Sequence, residues 1–430
     1  MSPQPLDAVA ARVLDRVDAL RDEMMPVVAE LVRVPSISGT DAEHDAQAFM
    51  AERAGAARLD VDHWSIDLDA VTADPSFPGM EVERGEAWGM VGRLAGAGDG
   101  ASLMLNGHVD VVPTGDPDAW ADQPFAAVVR DGRMFGRGTC DMKAGLIAAL
   151  WAIEAIRTSG TVLRGDLLLA SVRGEEDGGL GTFATLARGW RADACVIPEP
   201  TSLALIPANS GALTFRLRVR GEATHAARRL DGVSAIEKFL PVWHALADLE
   251  RRRHVEVDPR MRRWSLAHPL SIGRIHAGDW ASSVPDLLVA EGRLGVAIGE
   301  AAADARSALE AAVAAACEDD PWLRSHPVEV EWWGGQYESG ATDPDSPLLG
   351  WVADAHRIAA GASAPPDVHG APYGSDLRLL TGIGGIPTVQ YGPGDANVAH
   401  GPRESVPLDE VVITARSLAL VALRVCGVHT

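Results

Sequence analysis

The chain has 430 residues, 47% of them hydrophobic, which is more than one ordinary core holds and predicts two domains. Its formal net charge of −22 excludes nucleic acid and anionic membrane surfaces as partners, but not an anionic small molecule held at a local arginine or metal. No apolar run is long enough to span a membrane, Met1-Ser2-Pro3 leads into an amphipathic stretch without an apolar core, and Cys140, Cys195, Cys317 and Cys426 show no paired spacing; a reduced cytoplasm is the expected setting.

Residues 6–33 are predicted as one helix from the stripe Val9, Val13, Val17, Leu20, Val27, Val28 and Leu31, stopped at Val34-Pro35-Ser36. Residues 102–106 read as a short buried strand, with His108-Val109-Asp110 at its C-terminal edge. Gly136-Arg137-Gly138-Thr139-Cys140-Asp141 is a glycine-rich turn before a helix carrying Leu146, Leu150 and Ile153. A strand over 166–172 leads to Glu175-Glu176, and a strand over 193–197 runs into Pro198-Glu199-Pro200. This alternation, with polar residues gathered at strand ends, predicts an α/β domain with a doubly wound, mostly parallel sheet that binds ligands beyond the carboxyl ends of its strands.

Near residue 211 the pattern changes. Leu213, Phe215, Leu217 and Val219 alternate with Thr214, Arg216, Arg218 and Arg220, giving a half-exposed antiparallel strand that is apolar on one face and basic on the other. A helix over 233–250, strands near 270–276 and 287–297, an alanine-rich helix over 301–317 and a strand over 328–333 complete the βαββαβ order of a ferredoxin-like α+β sandwich. The expected organisation is a catalytic domain built from residues 1–211 and 332–430, interrupted by an inserted domain at 212–331, with a turn-rich hinge at 335–347.

The chemistry lies in the residues at the strand ends. On a strand, residues i and i+2 share a face, so Asp110 is placed to hold one nitrogen of His108 while the other binds a metal. Asp141 has two carboxylate oxygens and can bridge two metals, although by itself it would equally serve as a helix cap. Glu175 and Glu176 are adjacent and cannot face the same way; one can bind metal while the other reaches the attacking water. Glu199 is held between two prolines, and His400 follows the turn Gly392-Pro393-Gly394. The donor set is nitrogen and oxygen without thiolate, which suits two Zn²⁺ ions, with Co²⁺ or Mn²⁺ as substitutes. Two such ions lower the pKa of a shared water and polarise a carbonyl or phosphoryl oxygen, and a free glutamate moves the proton to a leaving amine. The implied reaction is hydrolysis.

Gly107-His108-Val109-Asp110, Gly136 to Lys143, Glu175-Glu176-Asp177-Gly178-Gly179, Glu199-Pro200-Thr201 and Ala399-His400, in this order and spacing, resemble the zinc-dependent amidohydrolases and peptidases that include acetylornithine deacetylase, succinyl-diaminopimelate desuccinylase, aminoacylase and carboxypeptidase G. The resemblance implies one metal on His108, Asp141 and Glu199 and a second on Asp141, Glu176 and His400. Glu175 would be the general base and acid, Asp110 would orient His108, and the Asp141–Met142 peptide would be cis. The inserted domain would be a lid that forms a homodimer. His225, in Gly221-Glu222-Ala223-Thr224-His225-Ala226, would stabilise the oxyanion, in many members from the partner subunit. Arg378, in Gly374-Ser375-Asp376-Leu377-Arg378, would bind a substrate carboxylate.

Three positions depart from the family pattern: Arg173-Gly174 replaces an acid before the glutamate pair, Ser282 stands where a substrate-contacting asparagine is common, and Arg403-Glu404 follows His400 in place of Asn-Glu. The implied substrate is a small-molecule N-acyl amino acid or similar N-acyl amine of the deacetylase or desuccinylase type. A carboxypeptidase or dipeptidase, and a deformylase of an N-formyl heterocyclic amine, are the alternatives. A catalytically dead binding protein is disfavoured by the intact Glu175 and ligand set.

Overall fold

Four short strands lie parallel and adjacent in the order Leu167–Val172, Leu103–His108, Ala194–Ile197, Thr388–Gln390. The first three are buried along both faces, as a parallel sheet covered on both sides requires. Leu167 and Leu169 face one core, with the helices Ala144–Thr158 and Leu408–Cys426. Leu168 and Ala170 face another, with the helix Leu180–Ala187 and the short helix Leu377–Gly382. Two antiparallel strands, Trp88–Leu94 and Asp60–Ser65, extend the sheet beyond Leu167–Val172. The doubly wound, mostly parallel sheet expected from the sequence is therefore present.

This computed structural model describes residues 6–429, so Met1-Ser2-Pro3 lies outside them. The single helix expected over 6–33 is two, Leu6–Ala19 and Arg21–Arg33, broken at Leu20. Pro26 lies inside the second helix, where it has no N–H to give to the preceding turn. Among the described residues no helix is long and apolar enough to cross a membrane. The four cysteines are free and buried.

The inserted lid domain is an antiparallel sheet in the order Leu270–Ala277, Leu287–Val296, Gly211–Arg220, Glu329–Tyr337. The helices Ala235–Arg253 and Ala302–Glu318 pack on one face of it, where Leu213, Phe215, Leu217 and Val219 are buried. The other face is not the basic surface that the alternation suggests. Arg216 pairs with Glu291 at 2.8 Å and Glu331 at 3.0 Å, and Arg220 pairs with Glu329 at 3.0 Å, so cross-strand glutamates neutralise it. The chain enters and leaves this domain through two segments, Ala208–Asn209 and Gly340–Ala341, that pair with each other antiparallel.

Candidate active site

Each of the four parallel strands delivers part of the site at its carboxyl end. His108 ends its strand, Glu175 and Glu176 follow Val172, Glu199 follows Ile197, and His400 lies in the loop after Thr388–Gln390. Asp141 enters from the turn before the helix Ala144–Thr158, and its peptide to Met142 is cis. That helix meets the Glu199 loop so closely that a Cβ on Gly145 would lie 1.9 Å from the Pro198 carbonyl oxygen; no side chain fits there.

His108 Nε2 lies 3.2 Å from Asp141 Oδ1 and 3.9 Å from Glu199 Oε1. His400 Nε2 lies 3.3 Å from Asp141 Oδ2 and 3.1 Å from Glu176 Oε2. Asp141 thus presents one oxygen to each histidine. The ligand atoms fall into two groups, His108–Asp141–Glu199 and Asp141–Glu176–His400, each compact enough to hold one ion. His400 adopts a left-handed backbone with φ of 59°, which is uncommon for a residue with a side chain and turns the loop toward Asp141 and Glu176.

Asp110 works differently from the arrangement expected. His108 Nδ1 donates to the backbone carbonyl of Asp110 at 2.9 Å, while the Asp110 carboxylate is 3.8 Å away. That bond fixes the tautomer and leaves Nε2 free to bind metal. The carboxylate instead accepts from the backbone N–H groups of Glu175 at 3.3 Å and Glu176 at 3.2 Å, and from the Ser38 hydroxyl at 3.1 Å. One residue therefore positions both His108 and the glutamate pair.

The charges fit bound cations. Burial, then repulsion from Asp376, Glu199 and Glu176, pushes Glu175 well above the usual carboxylate range, against the pull of His108. Burial followed by Asp141 and Glu176 does the same to Glu199. Burial alone would lower His108, but the Asp141 hydrogen bond and the Glu199 and Asp110 charges carry it well above normal. Glu176 raises His400 to about 11. A pocket this rich in buried acids is relieved by divalent metal, and its mixed nitrogen and oxygen donors suit such ions.

One of the departures from the family pattern, Arg173, has a buried partner: it forms an ion pair with Glu43. Arg84 donates to Glu43 at 3.1 and 3.0 Å and to Asp177 at 2.8 Å through each of two nitrogens. The turn after Glu175-Glu176 is thereby tied to the helix Ala42–Ala56. Glu404 accepts from Arg137 at 2.5 Å and from the backbone N–H groups of Cys140 at 3.3 Å and Asp141 at 3.4 Å, which steadies the shared ligand.

A cavity of about 440 Å³ opens onto the ligands, with Glu175, Glu81, Arg293, Tyr337, Tyr373 and Ser375 among its walls. The sequence reading did not single out Glu81, Tyr337, Tyr373 or Ser375. Arg293 lies in the strand expected near 287–297 and was not singled out either. The remaining expected residues lie elsewhere. Arg378 is buried and does not line the cavity: it donates to the Gly178 carbonyl at 2.7 Å and the Ser375 carbonyl at 3.1 Å, and lies 4.0 Å from the Tyr337 ring centroid. It braces the glutamate turn from behind. His225 and Ser282 are exposed neighbours on lid loops, where His225 Nδ1 accepts from Ala227 N–H at 3.0 Å and the Ser282 carbonyl accepts from Ala226 N–H at 2.9 Å. Neither lines the cavity within one protomer.

Known proteins are similar to this chain in sequence and in fold. The chain is 28% identical over 437 residues to the N-formyl-4-amino-5-aminomethyl-2-methylpyrimidine deformylase of Halalkalibacterium halodurans, covering 96% of each. It is 29% identical over 367 residues to the succinyl-diaminopimelate desuccinylase of Aromatoleum aromaticum, covering 80% of this chain and 87% of the relative. Human carnosine dipeptidase 1 has the same fold, with a TM-score of 0.75, 15% identity, and coverage of 99% of this chain and 100% of its own. Residues 104–424, which carry every ligand from His108 to His400, match peptidase family M20/M25/M40; the chain belongs to that family and is a hydrolase of amide-type C–N bonds.

Proposed function

We propose that the protein is a dinuclear metal-dependent amidohydrolase that removes a small acyl group, formyl foremost, from an amine. The observation that carries this reading is the cavity wall. Arg378, the expected anchor for a substrate carboxylate, does not line this cavity but a separate one of about 380 Å³, and the acids of the wall are Glu81, Asp141, Glu175, Glu176 and Glu199. Asp141, Glu176 and Glu199 would be neutralised by bound cations and Glu175 is the proposed base, which leaves Glu81 as the further acid of the wall able to meet a basic amine. The whole-length similarity to a deformylase supports the same reading. A second reading, an N-acyl amino acid of the acetyl or succinyl type, rests on Arg293, the arginine lining the cavity and the one side chain there able to grip a carboxylate in a bidentate manner.

His108, Asp141 and Glu199 would hold one ion, and Asp141, Glu176 and His400 the other, with zinc as the proposed metal and cobalt or manganese able to replace it. When bound, two such ions supply the Lewis acidity that polarises a carbonyl and makes a water acidic. Glu175, which belongs to neither ligand group, takes the proton of the attacking water and returns it to the departing nitrogen. Asp110 keeps His108 and the glutamate turn in register.

The proposed domains are a catalytic unit of residues 1–211 and 332–430 and a lid of residues 212–331. The proposed assembly is a cytoplasmic homodimer joined through the lid. Its support is the outer face of the helix Ala235–Arg253, where Ile236, Leu240 and Trp243 are exposed, and the free edge of the strand Leu270–Ala277, where Ile275 is exposed.

Amine release from N-formyl aminomethylpyrimidine, N-acetyl and N-succinyl amino acids, and dipeptides, with Zn²⁺ or Co²⁺ and then with chelator, tests the proposal. Chelator-sensitive turnover of the formyl amine ahead of the others is expected. Preference for acyl amino acids moves the function to the second reading, and preference for dipeptides rejects both.

A further inference from the structure

Three tyrosines occur in the chain, and two of them have their hydroxyls committed. Tyr337 donates to the Glu175 carbonyl, and the Tyr391 hydroxyl lies 3.0 Å from Ser417 Oγ and 2.8 Å from His356 Nδ1. Tyr373 differs. Its ring is packed against Ala204, Ile206 and Ala371, so its position is fixed. It forms a wall shared by the metal-ligand cavity and an adjoining cavity of about 310 Å³ that also holds Trp264 and His369. The residue is half-buried, and among the described residues its hydroxyl has no hydrogen-bond partner in the protein, which leaves it available to a ligand in either cavity. Burial, then the charges of Glu199, Asp141 and Glu175, hold that phenol well above its usual titration range, so it stays protonated and is a donor rather than a base.

The tetrahedral intermediate of amide hydrolysis is stabilised by donors to its oxyanion, and a histidine supplied by a partner subunit would leave room for a second donor from the cavity's own wall. We propose that the Tyr373 hydroxyl, fixed on the wall opposite no protein acceptor, donates a hydrogen bond to the acyl oxygen as the carbonyl becomes tetrahedral. This rests on the amide-hydrolysis reading above. The water oxygen bonds to the acyl carbon as Glu175 takes one water proton, and the carbonyl π pair moves onto the oxygen that Tyr373 faces. Collapse of the oxyanion breaks the C–N bond while Glu175 passes its proton to nitrogen. The products are an amine and a carboxylic acid, which then ionises. Tyr373 keeps its own proton throughout.

The test uses the full-length zinc-loaded enzyme and Tyr373→Phe, which removes only the hydroxyl. On whichever panel amide the native enzyme cleaves, kcat is expected to fall about 100-fold with KM little changed, as for loss of one oxyanion donor. Affinity for methylphosphonate, a small tetrahedral anion, should fall in parallel by calorimetry, while zinc content and melting temperature stay at native values. Unchanged kcat together with unchanged methylphosphonate affinity overturns the proposal. So does a loss of activity that travels with loss of zinc or of melting temperature, since the role would then be structural. If the native enzyme cleaves nothing on the panel, the amide-hydrolysis reading is what fails, and methylphosphonate affinity alone decides the part played by the tyrosine.

Discussion

Glu43, in the first turn of its helix, is fully buried; its carboxylate accepts from the Gly39 N–H at 3.0 Å, and two buried guanidinium groups, Arg84 and Arg173, converge on it. Removing one partner from such a cluster leaves uncompensated charge in a dry interior and costs about 3–5 kcal/mol. Glu43→Ala should lose stability on that scale in urea unfolding, and a loss under about 1 kcal/mol would show that solvent or rearrangement relieves the arginines. The cluster also shows where reading residues along the chain stops. Arg173 could be seen as a departure from a family pattern, but its partner lies 130 residues away, and Glu404 reaches the Cys140 backbone across 264 residues. Such pairs leave no local periodicity. His108, Asp141, the glutamate pair, Glu199 and His400 could be picked out because each sits at punctuation in the strand pattern and because their order and spacing resemble a known family; the structure brings the candidate ligands together. Arg378 has the right residue type in the right motif, and its direction, inward to two carbonyls, is decided by packing against Tyr337.

At the level of elements, the strands singled out from the sequence end within about two residues of those observed, because continuous apolar runs and strict alternation have different periods, except that Glu329–Tyr337 was read only to 333; Asp60–Ser65, Trp88–Leu94 and Thr388–Gln390 were not read. The N-terminal helix pair was not separated, because the apolar stripe continues through the break at Leu20. The lid junction carries a titrating staple that no pattern marks. His268, just before the strand Leu270–Ala277, is buried; its Nδ1 lies 3.2 Å from Ser210 Oγ, its N–H donates to His254 Nε2 at 2.9 Å, and its Nε2 has no partner among the described residues. Burial, then His254 and Arg253, lower it from 6.5 to about 4. The unfolded chain therefore binds a proton that the folded chain refuses between those values, so this contribution is whole above about 6.5 and declines as the pH falls to about 4. Melting temperatures recorded from neutral pH downward should fall more steeply for the native protein than for His268→Gln across that window. Parallel curves would remove His268 from the account.

For the whole molecule, the proposed dimer decides whether His225 acts at all. If it completes the neighbouring site, mixing His225→Ala with Glu175→Gln subunits should recover part of the activity that neither variant has alone, because one site in the mixed dimer keeps both groups. Demonstrated mixed dimers without recovery would assign the histidine to its own chain or to no catalytic part. The paired crossing at Asn209 and Gly340 has a consequence of another kind. All strands and helices of the lid are contiguous in the chain, whereas the parallel sheet waits for Thr388–Gln390 and the site for His400. During synthesis the lid can close its own core while the half-built sheet keeps Ala194–Ile197 as an open, apolar margin. A ribosome paused just past the lid thus holds a defined nascent species with two adhesive surfaces, the sheet margin and the face of Ala144–Thr158 that awaits Leu408–Cys426, and there a chaperone has something to grasp.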